Sequence, residues 1–236
     1  MTQRVTLQPG FILHSHHYGD SSLIVEAFSQ DYGRINLLAK GYRKKRPNAL
    51  QPYCPLLLSW SGRGELKTII AVETNGPQPG LQGNQLFAAF YLNEILQRLL
   101  PKFDAHPQLF HYYQGLLSAL AATADFEPLL RQFELTLLRE LGYALDLTSD
   151  ANDGTAIQAH SAYRYLPEHG FLKVAESEKS TEGIFVGSDL LAIAANQLNT
   201  LDIRRAAKRL TRLALSPLLG NKPLKSRELF KQTTIN

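Results

Sequence analysis

Cysteine is almost absent from this sequence of 236 residues, which has Cys54 alone. A single cysteine excludes an intrachain disulfide and a cysteine-based zinc site, and it fits a reducing compartment. Long apolar runs are also absent, since no stretch approaches the roughly 20 residues that span a bilayer. The first ten residues lack the apolar segment of a signal peptide. We therefore expect a cytoplasmic protein with no membrane contact.

Motifs for nucleotide binding and hydrolysis are missing too. The sequence has no phosphate-cradling GxxxxGK[ST], no dinucleotide fingerprint and no paired carboxylates in a glycine-rich context. His14 and His16 would share one face of a strand, but only Asp20 lies near enough to complete a metal site, so surface imidazoles are the favoured interpretation. The sequence predicts no catalytic residue, no metal, no cofactor and no enzymatic activity.

Charge is distributed unevenly, although the formal net charge is only +4. Residues 1–80 carry nine basic and five acidic groups, and residues 204–236 carry nine and one. Between them, residues 81–150 carry four basic and eight acidic groups, and residues 151–203 carry three and seven. Two basic ends flank an acidic middle, so contact with a polyanion is expected at the ends or on a face that they share.

The most basic stretch is 34–67, with eight basic residues against Glu65. Its densest part, 40–46, lies between strand-like segments and contains Tyr42, so we expect a loop that offers charge to phosphates and a ring to bases. A solvated hairpin tip is the alternative. The candidate DNA contacts are Arg34, Lys40, Tyr42, Arg43, Lys44, Lys45, Arg46, Arg63 and Lys67.

Short strands separated by glycine and proline dominate the first third of the chain. Five of them in about 80 residues predict a small closed barrel, for which the oligonucleotide-binding (OB) barrel is the candidate of matching size. The predicted strands cover residues 11–13, 23–28, 34–39, 56–60 and 66–72.

After a linker at 74–85, the apolar period becomes helical, and a polar insert at 146–187 interrupts it. The first three helices should bury their apolar stripes in one bundle. We predict an α+β fold: an N-terminal five-stranded OB-type β-barrel (1–78) followed by a C-terminal helical domain (79–236) with a small irregular insert. The predicted helices are 86–99, 107–120, 125–141, 189–198 and 203–215, and the insert has possible strands at 162–166 and 170–174.

Two further features suggest an anionic partner. The last predicted helix carries basic residues at spacings of one and four, with Asp202 as the nearby acid. Such a face favours a phosphate backbone or an acidic peptide over a merely solvated surface. Arg131 either pairs with Glu134 on a helix surface or rims a groove that receives a partner's carboxylate. The basic residues of the last helix are Arg204, Arg205, Lys208, Arg209 and Arg212.

Several stretches, in collinear order over nearly the whole chain, resemble the RecO family of bacterial DNA repair proteins in its proteobacterial form. They are FILHSHHYGDSSLIVEAFSQDYGRINLLAKGYRKKR, LQPYCPLLLSWSGRGELKTI, FYLNEIL, RQFELTLLRELGY, RRAAKRLTRLAL and LGNKPLKSRELF. The resemblance implies an OB barrel followed by a helical domain, and a recombination mediator without catalytic turnover. Some family members carry a four-cysteine zinc element where this chain has residues 146–187 and no cysteine, so we expect no zinc here.

The resemblance also implies partners. They are single- and double-stranded DNA, whose complementary strands the family anneals, the acidic C-terminal tail of single-stranded DNA-binding protein (SSB), RecR and, indirectly, RecA. A nucleoid-associated cytoplasmic location follows. The basic loop matches the family's DNA-binding barrel surface, and Arg131 matches the helix at its SSB-tail groove. Either partner could use Lys208, Arg212, Lys222, Lys225 and Arg227. The alternative is a non-enzymatic adaptor that recognises acidic proteins and for which DNA is incidental.

Overall fold

The computed structural model describes residues 3–45, 48–175 and 183–233. These residues form two compact units, one comprising 1–124 with 223–236 and the other 125–222. No helix among the described residues is long and apolar enough to cross a membrane.

A closed five-stranded barrel forms the first part of the first unit, which confirms the predicted architecture. The strands are hydrogen-bonded in the order β1-β2-β3-β5-β4, and β4 closes onto β1. All pairs are antiparallel except β3 with β5. The strands are β1 (Gln3–Tyr18), β2 (Ser22–Ser29), β3 (Gly33–Ala39), β4 (Leu56–Gly62) and β5 (Leu66–Thr74).

Strict alternation of side chains fills the barrel. In β3, Ile35, Leu37 and Ala39 are buried while the residues between them are half-buried, as expected where alternate side chains face opposite sides of a sheet. Trp60 lies in the same core, and its ring meets Tyr32 edge-on with centroids 5.3 Å apart. The barrel interior is therefore a packed core.

Two helices of the first unit, α2 (Gly83–Leu99) and α3 (Pro107–Ala122), cover part of the outer face of β1 and β2. Phe11 and Phe28 point out of the barrel, and both rings contact Phe110 of α3 at about 5.5 Å between centroids. Where a bulge interrupts β1, the Asn93 amide donates to the carbonyl oxygens of Ile12 and Leu13 at 3.3 and 2.9 Å. The helices thus satisfy backbone groups that the irregular strand leaves open.

The last helix of the first unit, α7 (Ser226–Thr233), docks on α2 and was not predicted from the sequence. The Glu94 carboxylate of α2 accepts hydrogen bonds from the Lys225 and Ser226 N–H groups, both at 2.9 Å. A carboxylate at the start of a helix satisfies N–H groups that have no partner within the helix and interacts favourably with its dipole.

The second unit combines helices with a three-stranded sheet in the order β7-β6-β8. The predicted strands at 162–166 and 170–174 are confirmed, and β8 is an addition. The helices predicted as one bundle are divided between the units: α2 packs against the barrel and α7, whereas α4 packs against α6. The elements are α4 (Glu127–Glu140), β6 (Ala162–Leu166), β7 (Gly170–Val174), β8 (Ile184–Val186), α5 (Gly187–Ala194) and α6 (Leu201–Leu219).

Asp150 organises the segment before the small sheet. It is a buried carboxylate, and its two oxygens accept the N–H groups of Asn152 at 2.9 Å and Lys173 at 3.1 Å. Phe171 of β7 packs against Tyr165 and Phe185 with centroids 5.3 and 6.2 Å apart. Carboxylate hydrogen bonds and aromatic packing therefore hold this part of the chain together.

Replacement of Asp150 by alanine is expected to lower the free energy of unfolding by about 2–3 kcal/mol, because two part-buried hydrogen bonds to a charged acceptor are lost. Thermal or urea unfolding followed by circular dichroism measures this loss. The control is Asp153→Ala, which removes a similar turn contact to Thr155 at a solvent-exposed position and should change stability little. Equal effects of the two substitutions would contradict the structural role of Asp150.

Candidate nucleic-acid interface

The basic segment after β3 is partly a helical turn, α1 (Tyr42–Lys45), and not the loop that the sequence predicted. Lys40 and Lys44 are exposed at either side of its start. Tyr42 is half-buried and packs against the barrel core, so its ring is less available for stacking than predicted. The side chains of Arg43 and Lys45 and the whole of Arg46 lie outside the described part of the structure.

Arg34 makes structural contacts within the first unit, and its role as a DNA contact stays a prediction. Its guanidinium forms an ion pair with Glu26 at 2.8 Å, and its Nε donates to the Leu100 carbonyl oxygen at 2.8 Å. Glu26 also accepts from the Gln97 side chain at 3.0 Å. The arginine therefore ties β3 to β2 and to the end of α2, and a phosphate would have to compete with these contacts.

Two more of the predicted contacts flank the β4–β5 hairpin. Arg63 is exposed at its tip, and Lys67 is half-buried at the start of β5, where its Nζ donates to the Gly62 carbonyl oxygen at 3.4 Å. Leu66 pairs with Asn36 and Lys67 with Leu37, so β5 begins beside the middle of β3, whereas Lys40 follows the last residue of β3. At about 3.3 Å per residue, Lys67 is roughly 10 Å from Lys40 along the strand, and Arg63, four residues earlier in the hairpin, is roughly 20 Å away.

Among the described residues, no third side chain joins His14 and His16 to form a metal site. The His14 and His16 rings lie on the same face with centroids 6.4 Å apart. Within the described ranges, no group of three or more His, Cys, Asp or Glu side chains is placed to hold a metal ion. Cys54 is half-buried beside the barrel core, and burial raises the pKa of its thiol.

The basic face of α6 is largely neutralised inside its own unit, by acids beyond the nearby Asp202 that the sequence indicated. Arg204 pairs with Asp125 at 2.9 Å, and Lys208 pairs with Glu127 at 2.5 Å. The guanidinium of Arg209 lies over the Phe185 ring, 4.6 Å from its centroid. Arg205 pairs with Asp202 at 3.4 Å, so these four cations all contact groups of the second unit.

The pKa of Glu127 reflects this arrangement. Burial alone would raise it, but the hydrogen bond and the charge of Lys208, together with Arg131 and Arg204, lower the pKa below its usual value. The carboxylate therefore stays ionised beside the first turn of α4. Its pairing with Lys208 makes that lysine less available to an external anion than the sequence suggested.

Arg131 is buried within the second unit. Its side chain is 7% exposed and pairs with Glu134, itself 1% exposed, at 2.9 Å. A second guanidinium nitrogen donates to the Thr211 hydroxyl of α6 at 3.2 Å. The predicted ion pair with Glu134 is present but buried instead of lying on the helix surface, and the role as a receptor for a partner's carboxylate stays a prediction. The residue links α4 to α6.

The remaining basic candidates of the C-terminal region belong to different units. Arg212 and Lys222 are exposed in the second unit. Lys225 is exposed and Arg227 is half-buried in the first, where the backbone N–H of Lys225 is bound by Glu94. They are thus distributed over two surfaces, each of which has to be considered separately.

Sequence reasoning missed two residues beside the barrel, Lys102 and Phe103. They lie between α2 and α3, where Lys102 forms a β-bridge with Arg34 and Phe103 remains 45% exposed. Only Pro101 signals this loop in the sequence, as the end of the preceding helix. The pairing of Arg204 and Lys208 with α4 was also missed, although Asp125 and Glu127 stand out as two acids at the start of a predicted helix.

Comparison with known proteins identifies the family of this chain. The family model for the N-terminal part of recombination protein O matches residues 1–77, and the model for its C-terminal part matches residues 81–228. The DNA repair protein RecO of Vibrio cholerae is 45% identical over 232 residues, covering 97% of this chain and 95% of the relative.

Other relatives show the same similarity. The DNA repair protein RecO of Photobacterium profundum is 45% identical over 233 residues, covering 98% of each chain. That of Actinobacillus succinogenes is 45% identical over 228 residues, covering 95% of each. With both family models matched in order, the chain belongs to the RecO family and has a role in DNA repair and recombination.

Proposed function

We propose that the chain is a recombination mediator that binds single- and double-stranded DNA through its barrel and anneals complementary strands without catalytic turnover. In this proposal the barrel, 1–78, is the DNA-binding domain, and the helical region, 79–236, binds protein partners. It acts in the cytoplasm at the nucleoid. Membership of the RecO family supports the role in repair, and the charges of the barrel support the DNA contact.

One observation carries the DNA-binding proposal: three cations of the barrel are exposed. These are Lys40, Lys44 and Arg63, and the described residues provide no ion pair for any of them. They lie near the two ends of β3, roughly 20 Å apart by the strand rise. A single strand occupying an OB barrel covers about 4–16 nucleotides, which is enough to reach both ends.

Annealing follows from the same electrostatics. Two complementary strands repel each other through their phosphates, and each phosphate neutralised by a lysine or arginine lowers that repulsion. A mediator that carries one strand on a basic surface therefore brings it to the second strand at a lower electrostatic cost. This mechanism needs no bond to be broken, so we propose no catalytic residue.

For protein partners, we propose that the acidic tail of SSB binds the helical region, and that the chain acts with RecR to help load RecA on SSB-coated DNA. The candidate contacts are exposed or half-buried and form two separate surfaces, Arg212 with Lys222 in the second unit and Lys225 with Arg227 in the first. Lys208 and Arg131 are already bound within the second unit. We assign Arg131 a supporting role beneath any tail contact, because its guanidinium is buried.

The experiment that tests the DNA proposal is a salt titration of binding to a bare oligonucleotide. If three to five phosphates are neutralised on a single strand, the logarithm of affinity should fall with the logarithm of salt concentration with a slope of about −2 to −4. Fluorescence anisotropy measures this slope, and annealing of two complementary oligonucleotides should slow over the same salt range.

The adaptor alternative gives the opposite result in the same titration. An adaptor for acidic proteins should lose measurable DNA affinity near physiological ionic strength while keeping its affinity for an acidic tail peptide. Annealing no faster than the spontaneous reaction, together with that loss, would reject the DNA mediator.

A further inference from the structure

Phe103 is exposed in an unusual conformation beside the barrel. Its side chain is 45% exposed, and its backbone has a φ of 61°. This left-handed region is uncommon for residues with a β-carbon, and bulky side chains there often occur at functional sites. The loop therefore holds a large apolar ring at the surface in a conformation that a polar residue or glycine would adopt more readily.

Backbone contacts hold the loop that carries this ring against the barrel. The Phe103 N–H donates to the Arg34 carbonyl oxygen at 3.0 Å, and Lys102 bridges to the same residue of β3. Gly33 lets the next part of the loop approach closely, since a β-carbon at that position would lie 1.8 Å from the carbonyl oxygen of Asp104. The loop is thus attached to the start of β3, and the ring extends from a backbone that is held at the barrel surface.

Positive charge surrounds the ring. The Lys67 Nζ lies 5.9 Å from the Phe103 ring centroid, a distance at which a cation and an aromatic face still attract each other. Arg63 is exposed at the neighbouring hairpin, and Lys102 lies directly before the ring, with its Nζ 3.6 Å from Glu65. A ring fixed next to cations offers a stacking surface and phosphate contacts in one place.

We infer that Phe103 stacks on a base of single-stranded DNA while Lys67 and Arg63 contact the flanking phosphates. This inference rests on the proposed DNA-binding function and adds the residue that distinguishes unpaired from paired bases. A single strand uses both the ring and the cations, because its bases are free to leave the stack. An acidic peptide would use only the cations, and a duplex would keep its bases paired and out of reach of the ring.

The central test compares Phe103→Ala with the unchanged chain on three DNA ligands. Affinity for single-stranded DNA should fall about tenfold, the equivalent of about 1.4 kcal/mol. Affinity for double-stranded DNA and for an abasic single strand of the same length should stay the same. The dependence on salt should also be unchanged, because the ring carries no charge.

Two further substitutions separate stacking from folding and from simple apolar contact. Phe103→Leu keeps an apolar side chain without a ring and should lose nearly as much single-strand affinity as alanine. Phe103→Trp keeps a ring and should retain affinity. Its fluorescence should be quenched by a single strand but not by an abasic one, whereas Trp60, the native tryptophan, is buried in the barrel and provides the baseline.

The possible results separate failure of the stacking role of Phe103 from failure of the proposed DNA-binding function. If the unchanged chain binds single strands with the expected salt slope but Phe103→Ala binds equally well, the stacking role is wrong and DNA binding stands. Equal losses on all three ligands would mean that the ring only supports the loop. Loss of acidic-peptide binding alone would assign the surface to a protein. A chain that binds no DNA at all would overturn both proposals.

Discussion

Replacement of Arg131 by alanine should lower the free energy of unfolding by about 3–5 kcal/mol, because it leaves a buried carboxylate without its arginine. Glu134 is 1% exposed and its Oε1 lies 2.9 Å from the Arg131 guanidinium, so water cannot easily take over the lost contact. The Thr211 hydroxyl also loses its guanidinium donor. Urea unfolding followed by circular dichroism measures the change.

The chain offers a matched control on α6. Arg205 also pairs with an acid three residues away, Asp202, at 3.4 Å, but the two side chains are 76% and 88% exposed. Pairs of this kind contribute about 0–1 kcal/mol, so Arg205→Ala should leave stability nearly unchanged. A comparable loss in the two variants would show that burial of the Arg131 pair does not determine its contribution.

A double substitution tests the physical reason more sharply. Arg131→Met with Glu134→Leu removes both charges and keeps apolar volume, and buried pairs replaced in this way are often neutral or stabilising. We therefore expect the double variant to be more stable than Arg131→Ala alone. If it is less stable, the pair contributes favourably beyond the removal of an unpaired charge. In either variant, reduced affinity for an SSB tail peptide is interpretable only after the fold has been shown to be intact.

The barrel could be predicted from the sequence because its signals are local. Alternating apolar residues in β3 and glycines at the turns mark strands directly, and all five predicted strands are present. The long helices have an equally clear period. The assignment of α2 and α3 to the barrel unit could not be read in this way, because an apolar stripe shows that a helix buries one face but not which surface it meets.

Failures of prediction occur where partners are distant in the sequence. The three-residue strand β8 is too short for a periodic signal, and it is defined by pairing with β6. The cations of α6 looked uncompensated because Asp125 and Glu127 precede them by about 80 residues. Arg131 looked exposed for the same reason, since its contact with Thr211 spans a similar separation. Tertiary pairing of charges, and not their local spacing, decides which cations remain available.

The candidate interface was predicted in part. Lys40, Lys44 and Arg63 are exposed as expected, because turns and hairpin tips lie at the surface. The contacts of Arg34 with Glu26 and the end of α2 were not predicted, because no pattern in the neighbouring sequence indicates them. Phe103 was missed because the hydrophobic periodicity of a sequence does not reveal a positive φ in a short loop between two helices.

The largest expected effect on DNA binding comes from reversing the charge of the exposed barrel cations. A variant with Lys40→Glu, Lys44→Glu and Arg63→Glu should bind single-stranded DNA at least about a hundredfold more weakly at low salt. Three lost phosphate contacts should also reduce the steepness of the salt dependence by about 2. Because all three side chains are exposed and have no ion pair among the described residues, folding should be little affected.

A control variant with the same change in net charge tests whether DNA is bound at the barrel surface or is attracted by the net charge of the whole chain. Arg139→Glu, Lys173→Glu and Arg205→Glu change three exposed cations of the second unit, and each variant takes the formal charge from +4 to −2. If DNA is bound by the barrel, this control should keep most of its affinity and its salt slope, losing only the long-range attraction that depends on net charge. Similar losses in both variants would mean that total charge, and not the barrel surface, governs binding.

Unchanged annealing in the barrel variant would show that these cations have no part in the annealing mechanism, because that mechanism requires them to neutralise the phosphates of the approaching strands.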